Sequence, residues 1–426
     1  MRGKNRPFTR RAFIDRTIGC GMALTVLASQ RTRAAIKSYS AAKRPILGVK
    51  VGQPTTIPNN FGDTWAVAWA DDDNLYSPSN DTLGFDIPDF LTEQRIRQFQ
   101  TDFPNFSRQL SPLQKGAFRY DPIAFNRIEG TSPLELRGTT VNRMEDYVRR
   151  DGYDTIFEAA QPQNSADNRG WKSSGCTSVD GVLYWTVARH KYPENTNTAG
   201  LRQNAANASL LKSVDFGKTW TRSEQDNLKA PMFAGSSFAT PYLIDYCRTR
   251  ALVDGSDQYV YAISNNGFWD NGDALTLGRV ARARIGTLEG ADWEFYIGGD
   301  GMQNGSWSRD IKASAPIFSR PGKLGETGAV YLPDRQRYMM IGWHYPAGSG
   351  YLKGASSTTV WDFYESPKPW GPWTHLDSIK WSPQGYYCPS ICPKFQSSGR
   401  IYVLTAGDFN NWWDFYRLTV VPVDLV

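Results

Sequence analysis

The chain is poor in the residues that metal and redox chemistry needs. It has three histidines and five cysteines in 426 residues. The cysteines lack the paired two-residue spacing of a zinc site, and histidines are too scarce to complete one. No metal or organic cofactor is expected. There is no Gly-x-Ser-x-Gly elbow, no Walker-type phosphate loop, no dinucleotide fingerprint and no His-Glu-x-x-His motif, which leaves serine-hydrolase, nucleotide and zincin chemistries without support. Long apolar runs are missing too. The longest near the start, Ile18 to Ala28, is too short to span a bilayer. Gly/Ser-rich or Pro-rich linkers and low-complexity tracts are also absent.

That apolar stretch follows Thr9-Arg10-Arg11-Ala12-Phe13-Ile14, a twin-arginine pattern. Residues 1–35 therefore read as an export leader, and the twin-arginine export machinery becomes an expected partner. The expected location is the bacterial periplasm or outside the cell. Cys20 falls early in the apolar stretch and is not read as a lipoprotein cysteine. The leader also accounts for the basic balance. It holds eight Lys/Arg and one Asp, leaving 40 basic against 41 acidic residues in the remainder. Neither nucleic acid nor a membrane surface is an expected partner of the mature domain.

What the chain has in quantity is turn formers and aromatics: Gly 38, Pro 25, Trp 15, Tyr 21 and Phe 21. Hairpins recur. They lie at Asp63–Asp81, at Trp171–His190 around Val179-Asp180-Gly181, at Pro241–Ser264, at Ala329–His344 and at Pro389–Thr405. Outer strands follow at Leu277–Ala281, Trp293–Tyr296 and Thr359–Tyr364. Five hairpin-plus-outer-strand units predict an all-β fold, a five-bladed β-propeller spanning 45–426, with a large β-sandwich as the alternative. Residues 86–165 read as a loop and helical insertion in the first blade region, with helix near Thr92–Gln100 and Met144–Arg150. Ser213-Val-Asp215-Phe-Gly217-Lys-Thr219-Trp220 fits an Asp-box turn, in which Asp215 is structural. A sialidase reading fails for want of an Arg-Ile-Pro strand and an arginine triad.

The first hairpin carries the chemistry. With Asp71-Asp72-Asp73 as its turn, Ala70 faces Asn74 and Asp63 faces Asp81. Cross-strand partners have Cβ atoms about 4.5–5.5 Å apart, and retaining glycosidases hold their two carboxyl groups roughly 5–5.5 Å apart. Pro78 lacks an N–H and could end the second strand early. A propeller binds its ligand over the central funnel, at the starts of inner strands and the ends of second strands. That rule adds Lys172, Arg189 and His190 from the second hairpin. It adds Asn265, Trp269 and Asp270 from the third, His344 and Tyr345 from the fourth, and Asp408 and Trp412 from the fifth. These are candidate substrate-binding residues, and the aromatics suit sugar rings.

Gly62-Asp63-Thr64-Trp65, Trp69-Ala70-Asp71-Asp72, Asn265 through Asp273, Leu277-Gly-Arg-Val280 and Pro389 through Lys394 resemble the family called domain of unknown function 4185. The resemblance implies a five-bladed propeller similar to glycosidases, some members being endo-D-arabinanases. It also implies a carboxylate pair in the first blade, for which Asp63 and Asp81 are the positions that fit. Asp73-Asn74 and Asn80 stand where that pattern leads one to expect glycine. The expected function is an exported, retaining glycoside hydrolase acting on a polysaccharide, an arabinan among the candidates. A non-catalytic carbohydrate-binding propeller and a partner-binding propeller are the alternatives.

Overall fold

A computed structural model describes residues 45–85, 121–145, 169–191, 202–224, 231–247, 258–299, 305–346, 358–382, 385–407 and 417–426. The leader read at 1–35, the helix expected near Thr92–Gln100, and Asp408 and Trp412 lie outside them. The compact unit is Arg44–Val426.

Short strands separated by turn residues build five antiparallel sheets arranged as a five-bladed β-propeller. Two strands, β1 (Val49–Val51) and β2 (Thr55–Thr56), precede the first blade. Blade one holds β3 (Phe61–Asp63), β4 (Ala68–Trp69), β5 (Leu75–Gly84), β6 (Asp121–Glu129) and β7 (Arg137–Asn142). Blade two holds β8 (Gly170–Val179), β9 (Val182–Lys191), β10 (Asn204–Ser213) and β11 (Thr221–Arg222). Blade three holds β12 (Thr240–Leu243), β13 (Tyr259–Asn265), β14 (Gly272–Ala281), β15 (Trp293–Gly298), β16 (Ser306–Ser308) and β17 (Phe318–Leu324). Blade four holds β18 (Ala329–Leu332), β19 (Arg337–His344), β20 (Thr359–Ser366) and β21 (Thr374–Trp381). Blade five holds β22 (Ser390–Ile391), β23 (Arg400–Thr405) and β24 (Thr419–Leu425). Its outermost strand comes from the other end of the chain: β1 pairs antiparallel with β24, Val49 opposite Leu425. This pairing closes the ring.

The burial patterns follow from that arrangement. Second strands are covered on both faces by neighbouring blades, so β9 is buried from Leu183 to His190. Peripheral strands face water, and β21 alternates between exposed and half-buried residues. Aromatics fill the space between blades: Trp220, at the end of the Ser213–Trp220 turn, lies edge-on to Phe125 of blade one and Trp185 of blade two. Asp180-Gly181 turns the second hairpin with both residues at positive φ, +54° and +78°, as a tight two-residue connection requires.

Two expectations need correction. The stretch 86–165 is not simply an insertion, because β6 and β7 lie inside it as the outer strands of blade one. β6 is buried along most of its length and so lacks the period-two alternation of a one-sided strand. The first hairpin also slips. Near the turn the expected register holds, with Ala70 N–H bonded to the Asn74 carbonyl and Trp69 opposite Leu75. Farther up, Asp63 pairs with Asn80, not Asp81. Residues 64–67 leave the ladder between β3 and β4, with Thr64 at φ +56°, and the pairing resumes shifted. β5 runs through Pro78 without ending.

Inner strands approach one another closely around the axis. A Cβ added to Gly175 in β8 would lie 2.4 Å from the Tyr242 Cα and 2.9 Å from the Pro241 carbonyl oxygen of β12. Backbone cannot yield there as a side chain can. Gly175→Ala is expected to cost about 1–3 kcal/mol or more, read as a lowered midpoint in denaturant unfolding.

Candidate functional site

The inner strands and the loops that lead into them bring five polar segments, one from each blade, to a common centre. Blade one supplies Asp63, with Thr64 after it. Blade two supplies Lys172 and Ser174, and blade three Tyr242. Blade four supplies Glu326, just ahead of β18, and blade five supplies Tyr387 and Cys388, just ahead of β22. All but Lys172 are buried.

Asp63 is one focus. Its Oδ2 accepts a 2.6 Å hydrogen bond from the Tyr387 hydroxyl, and its Oδ1 one of 3.2 Å from Thr64 Oγ1. Burial pushes its carboxyl up to about 7, and the charge of Asp81 adds to the rise; Lys172, Tyr387 and Thr64 oppose it. Asp81 stands differently. It is partly open to solvent, and its Oδ1 is ion-paired with Lys172 Nζ. The adjacent residues lock that pair in place: Asn80 Oδ1 accepts from both the Ser173 N–H (2.9 Å) and Ser173 Oγ (2.7 Å). This clamp joins β5 of blade one to β8 of blade two.

Glu326 is the second focus, and sequence reasoning missed it. Its Oε1 accepts from the Tyr242 hydroxyl at 3.2 Å and from Cys388 Sγ at 3.6 Å, and its Oε2 from Ser174 Oγ at 3.4 Å. Burial pushes this carboxyl up to about 8, and Asp63 adds a repulsive contribution. The signal available in the sequence was Gly325-Glu326-Thr327-Gly328, a carboxylate between glycines at the start of an inner strand. A Cβ at Gly325 would meet the Trp343 ring at 2.2 Å, and one at Gly328 would meet the Tyr242 side chain at 2.9 Å. Tyr387 was missed as well.

The backbone around these groups is strained. Thr64 (φ +56°), Asp81 (φ +46°), Tyr386 (φ +50°) and Cys388 (φ +50°) all occupy the left-handed region without being glycine. For a β-branched residue such as Thr64 this is a true outlier. Outliers of this kind cost of order 1–3 kcal/mol each and cluster at functional sites.

The other sequence candidates divide. Trp269 lies at the centre, its ring edge-on to Trp343 (5.1 Å) and to Tyr387 (5.4 Å). His190 stands beside Trp269, with ring centroids 6.3 Å apart, and burial holds it down to about 3. The remaining residues serve the frame. Arg189 lies over the Trp171 ring and donates to the Arg169 carbonyl. The Asn265 amide donates to the Leu324 carbonyl and accepts from the Phe268 N–H. Asp270 accepts from the Gln203 N–H at 2.6 Å, tying blade three to blade two. Tyr345 packs on Trp343, and its backbone is held by the Asn271 amide at both N–H and C=O. His344 belongs to another cluster, its Nδ1 3.6 Å from Asp362 Oδ2 of β20. Among the described residues no group of three or more His, Cys, Asp or Glu could hold a metal ion. Cys176, Cys247, Cys388 and Cys392 are free, buried thiols.

The two raised carboxyls make stability depend on pH. Both hold protons in the folded state at pH values where the unfolded chain, with ordinary carboxylate values, has released them. The folded state then binds more protons, and stability falls as pH rises. Thermal midpoints are expected to decline between about pH 5 and pH 8, and Asp63→Asn or Glu326→Gln should each flatten the decline.

No curated protein matches this chain. Among solved structures it is similar to a protein of unknown function from Dyadobacter fermentans (TM-score 0.44, 9% identity, 89% of this chain and 100% of that one). It is also similar to Zg3597, a family 117 glycoside hydrolase of Zobellia galactanivorans (0.45, 8%, 88% and 90%). A third is a GH43_1 enzyme from Xanthomonas citri in complex with xylotriose (0.42, 9%, 92% and 92%). The five-bladed fold rests on the chain's own sheets, not on these distant neighbours. A family model does match, described as "Domain of unknown function (DUF4185)", over residues 143–421. That span is well over half of the chain, and the protein belongs to the DUF4185 family.

Proposed function

We propose that this protein is a glycoside hydrolase that cleaves a polysaccharide with retention, using Asp63 as general acid/base and Asp81 as nucleophile. The observation that carries the reading is the contrast between two neighbouring carboxyls. Asp63 is buried, accepts from a tyrosine hydroxyl and is pushed up to about 7; Asp81 is part-exposed and paired with an ammonium. A buried carboxyl held in its acid form beside a part-exposed one paired with a cation suits a proton donor and a nucleophile.

The steps then follow. Asp81 attacks the anomeric carbon as the bond to the leaving oxygen breaks, and the Asp63 proton goes to that oxygen. A glycosyl ester on Asp81 results. Asp63, now a carboxylate, takes a proton from water, whose oxygen attacks the anomeric carbon and frees Asp81. Lys172, ion-paired with Asp81, opposes the negative charge of the pair. Export by the twin-arginine route, read from Thr9 to Ile14, suits a polymer substrate outside the cytoplasm. The family resemblance makes arabinan the first glycan to try.

Three outcomes test this. Reducing-end release should appear on one of a panel of arabinans, arabinogalactans and other polysaccharides. Asp63→Asn should lower it by about 10²–10⁴-fold and Asp81→Asn should reduce it to background, both with unchanged circular dichroism. Azide added to Asp81→Gly should yield the inverted glycosyl azide. Silence of the wild type on every glycan, with binding retained, would favour a carbohydrate-binding propeller instead. The pH profile of kcat/KM should fall on its alkaline side near pH 7, as Asp63 loses its proton. Since Lys172 lowers Asp63, Lys172→Met should move that limb to higher pH.

A further inference from the structure

Glu326 has no part in the two-carboxylate cycle, yet both its backbone and its carboxyl are held. Its N–H bonds the Trp269 carbonyl at 2.7 Å, and its own carbonyl accepts from Trp343 Nε1 at 2.8 Å. Its carboxyl meets Tyr242, Ser174 and Cys388, which belong to blades three, two and five. Those partners are hydroxyls and a thiol; among the described residues no ammonium, guanidinium or imidazole bonds it. A fully buried carboxylate without a cation is costly, while the neutral acid is not. The chain of contacts continues. Thr64 Oγ1 lies 3.7 Å from Cys388 Sγ and 3.2 Å from Asp63 Oδ1. One thiol and one hydroxyl therefore link Glu326 to Asp63, and both linking residues carry the strained backbone described above.

We propose that Glu326 is a positioning residue of this site, a neutral carboxylic acid on the propeller axis that acts on Asp63 through Cys388 and Thr64. This rests on the assignment of Asp63 as acid/base. As an acid, Glu326 braces the thiol and the threonine that bear on Asp63. It also puts a limit on the local charge. The titratable groups facing this network are Asp63 with Asp81 behind it, Lys172, Tyr242, Tyr387 and Cys388. Only one cation among them, Lys172, stands against three carboxyls. A proton on Glu326 leaves Asp63 free to lose and regain its own during turnover. If Glu326 were charged, Asp63 would face that anion at the moment it gives up its proton.

Infrared difference spectroscopy across a pH titration of the full chain tests the coupling without a substrate. Protonated-carboxyl absorption at pH 7 should have two components, from Asp63 and Glu326, and the Glu326 band should be absent in Glu326→Gln. In Asp63→Asn that band should fade at lower pH than in wild type, because the opposing charge is gone. A band unchanged in Glu326→Gln, or one that fades at the same pH with and without Asp63, would overturn the proposal. Kinetics on a hydrolysed glycan supply the second arm. Glu326→Leu keeps the volume without the hydrogen bonds; kcat should drop, up to about a hundredfold, with KM little changed. Glu326→Gln should restore most of it. A Glu326→Gln enzyme as inactive as Asp63→Asn would make Glu326 the proton donor and sink the positioning role, as would full activity in Glu326→Leu. Activity that survives both Asp63→Asn and Asp81→Asn would instead overturn the catalytic assignment, while the infrared coupling is judged on its own.

Discussion

Burying Asp63 is the constraint on which the rest of the site depends. A carboxyl taken out of water with no compensation is expensive, and here no single blade supplies the compensation. Thr64 comes from the same strand end, Lys172 from blade two and Tyr387 from blade five. The 2.6 Å bond from Tyr387 exists only if blade five sits beside blade one, and that is what the pairing of β1 with β24 enforces. Ring closure and the protonation of one aspartate are thus linked. A propeller that opened between blades five and one would lose the Tyr387 bond and the Thr64–Cys388 contact together.

The same argument explains where strain collects. Thr64, Asp81, Tyr386 and Cys388 are the residues at positive φ around the site; Asp81 lies within β5, the others just outside strand ends. A glycine would relieve the backbone at any of them. At Thr64, Asp81 and Cys388 it would also delete the hydroxyl, the carboxylate or the thiol that the network uses. At Asp81 and at Asp73 (φ +68°), the chain carries aspartate in the left-handed region close to where glycine was expected. Aspartate tolerates that region better than most residues, so these departures are absorbed without loss of the hairpin.

Much of the fold was legible because propeller hairpins announce themselves. Asp180-Gly181 and Pro333-Asp334 mark turns, and the β-branched and aromatic runs on either side mark inner and second strands. The site was legible only in part. Asp63 and Asp81 stood out as carboxylates at the open end of a hairpin, yet their pairing came out one residue wrong, because nothing in Asp63-Thr64-Trp65 signals that Thr64 turns left-handed. Glu326 stayed hidden for a different reason. Its role depends on Ser174, Tyr242 and Cys388, which lie 152, 84 and 62 residues away, and no local pattern encodes such a meeting. Arg189, Asn265 and Asp270 had the opposite fate: chemically suggestive at strand ends, they turned out to tie down backbone.

The aromatic residues weigh between catalysis and mere binding. A carbohydrate-binding surface presents ring faces to solvent, where a sugar can stack. Trp269, Trp343, Tyr345 and Tyr387 are instead buried and packed mostly edge-to-face on one another, so their rings are already occupied. They form a dry wall behind Asp63 and Glu326. A wall of this kind does little for affinity, but it lowers the local dielectric, and that is what holds two carboxyls above their ordinary range. On the proposed reading, the described aromatics at the axis serve to tune acids, as proton transfer requires.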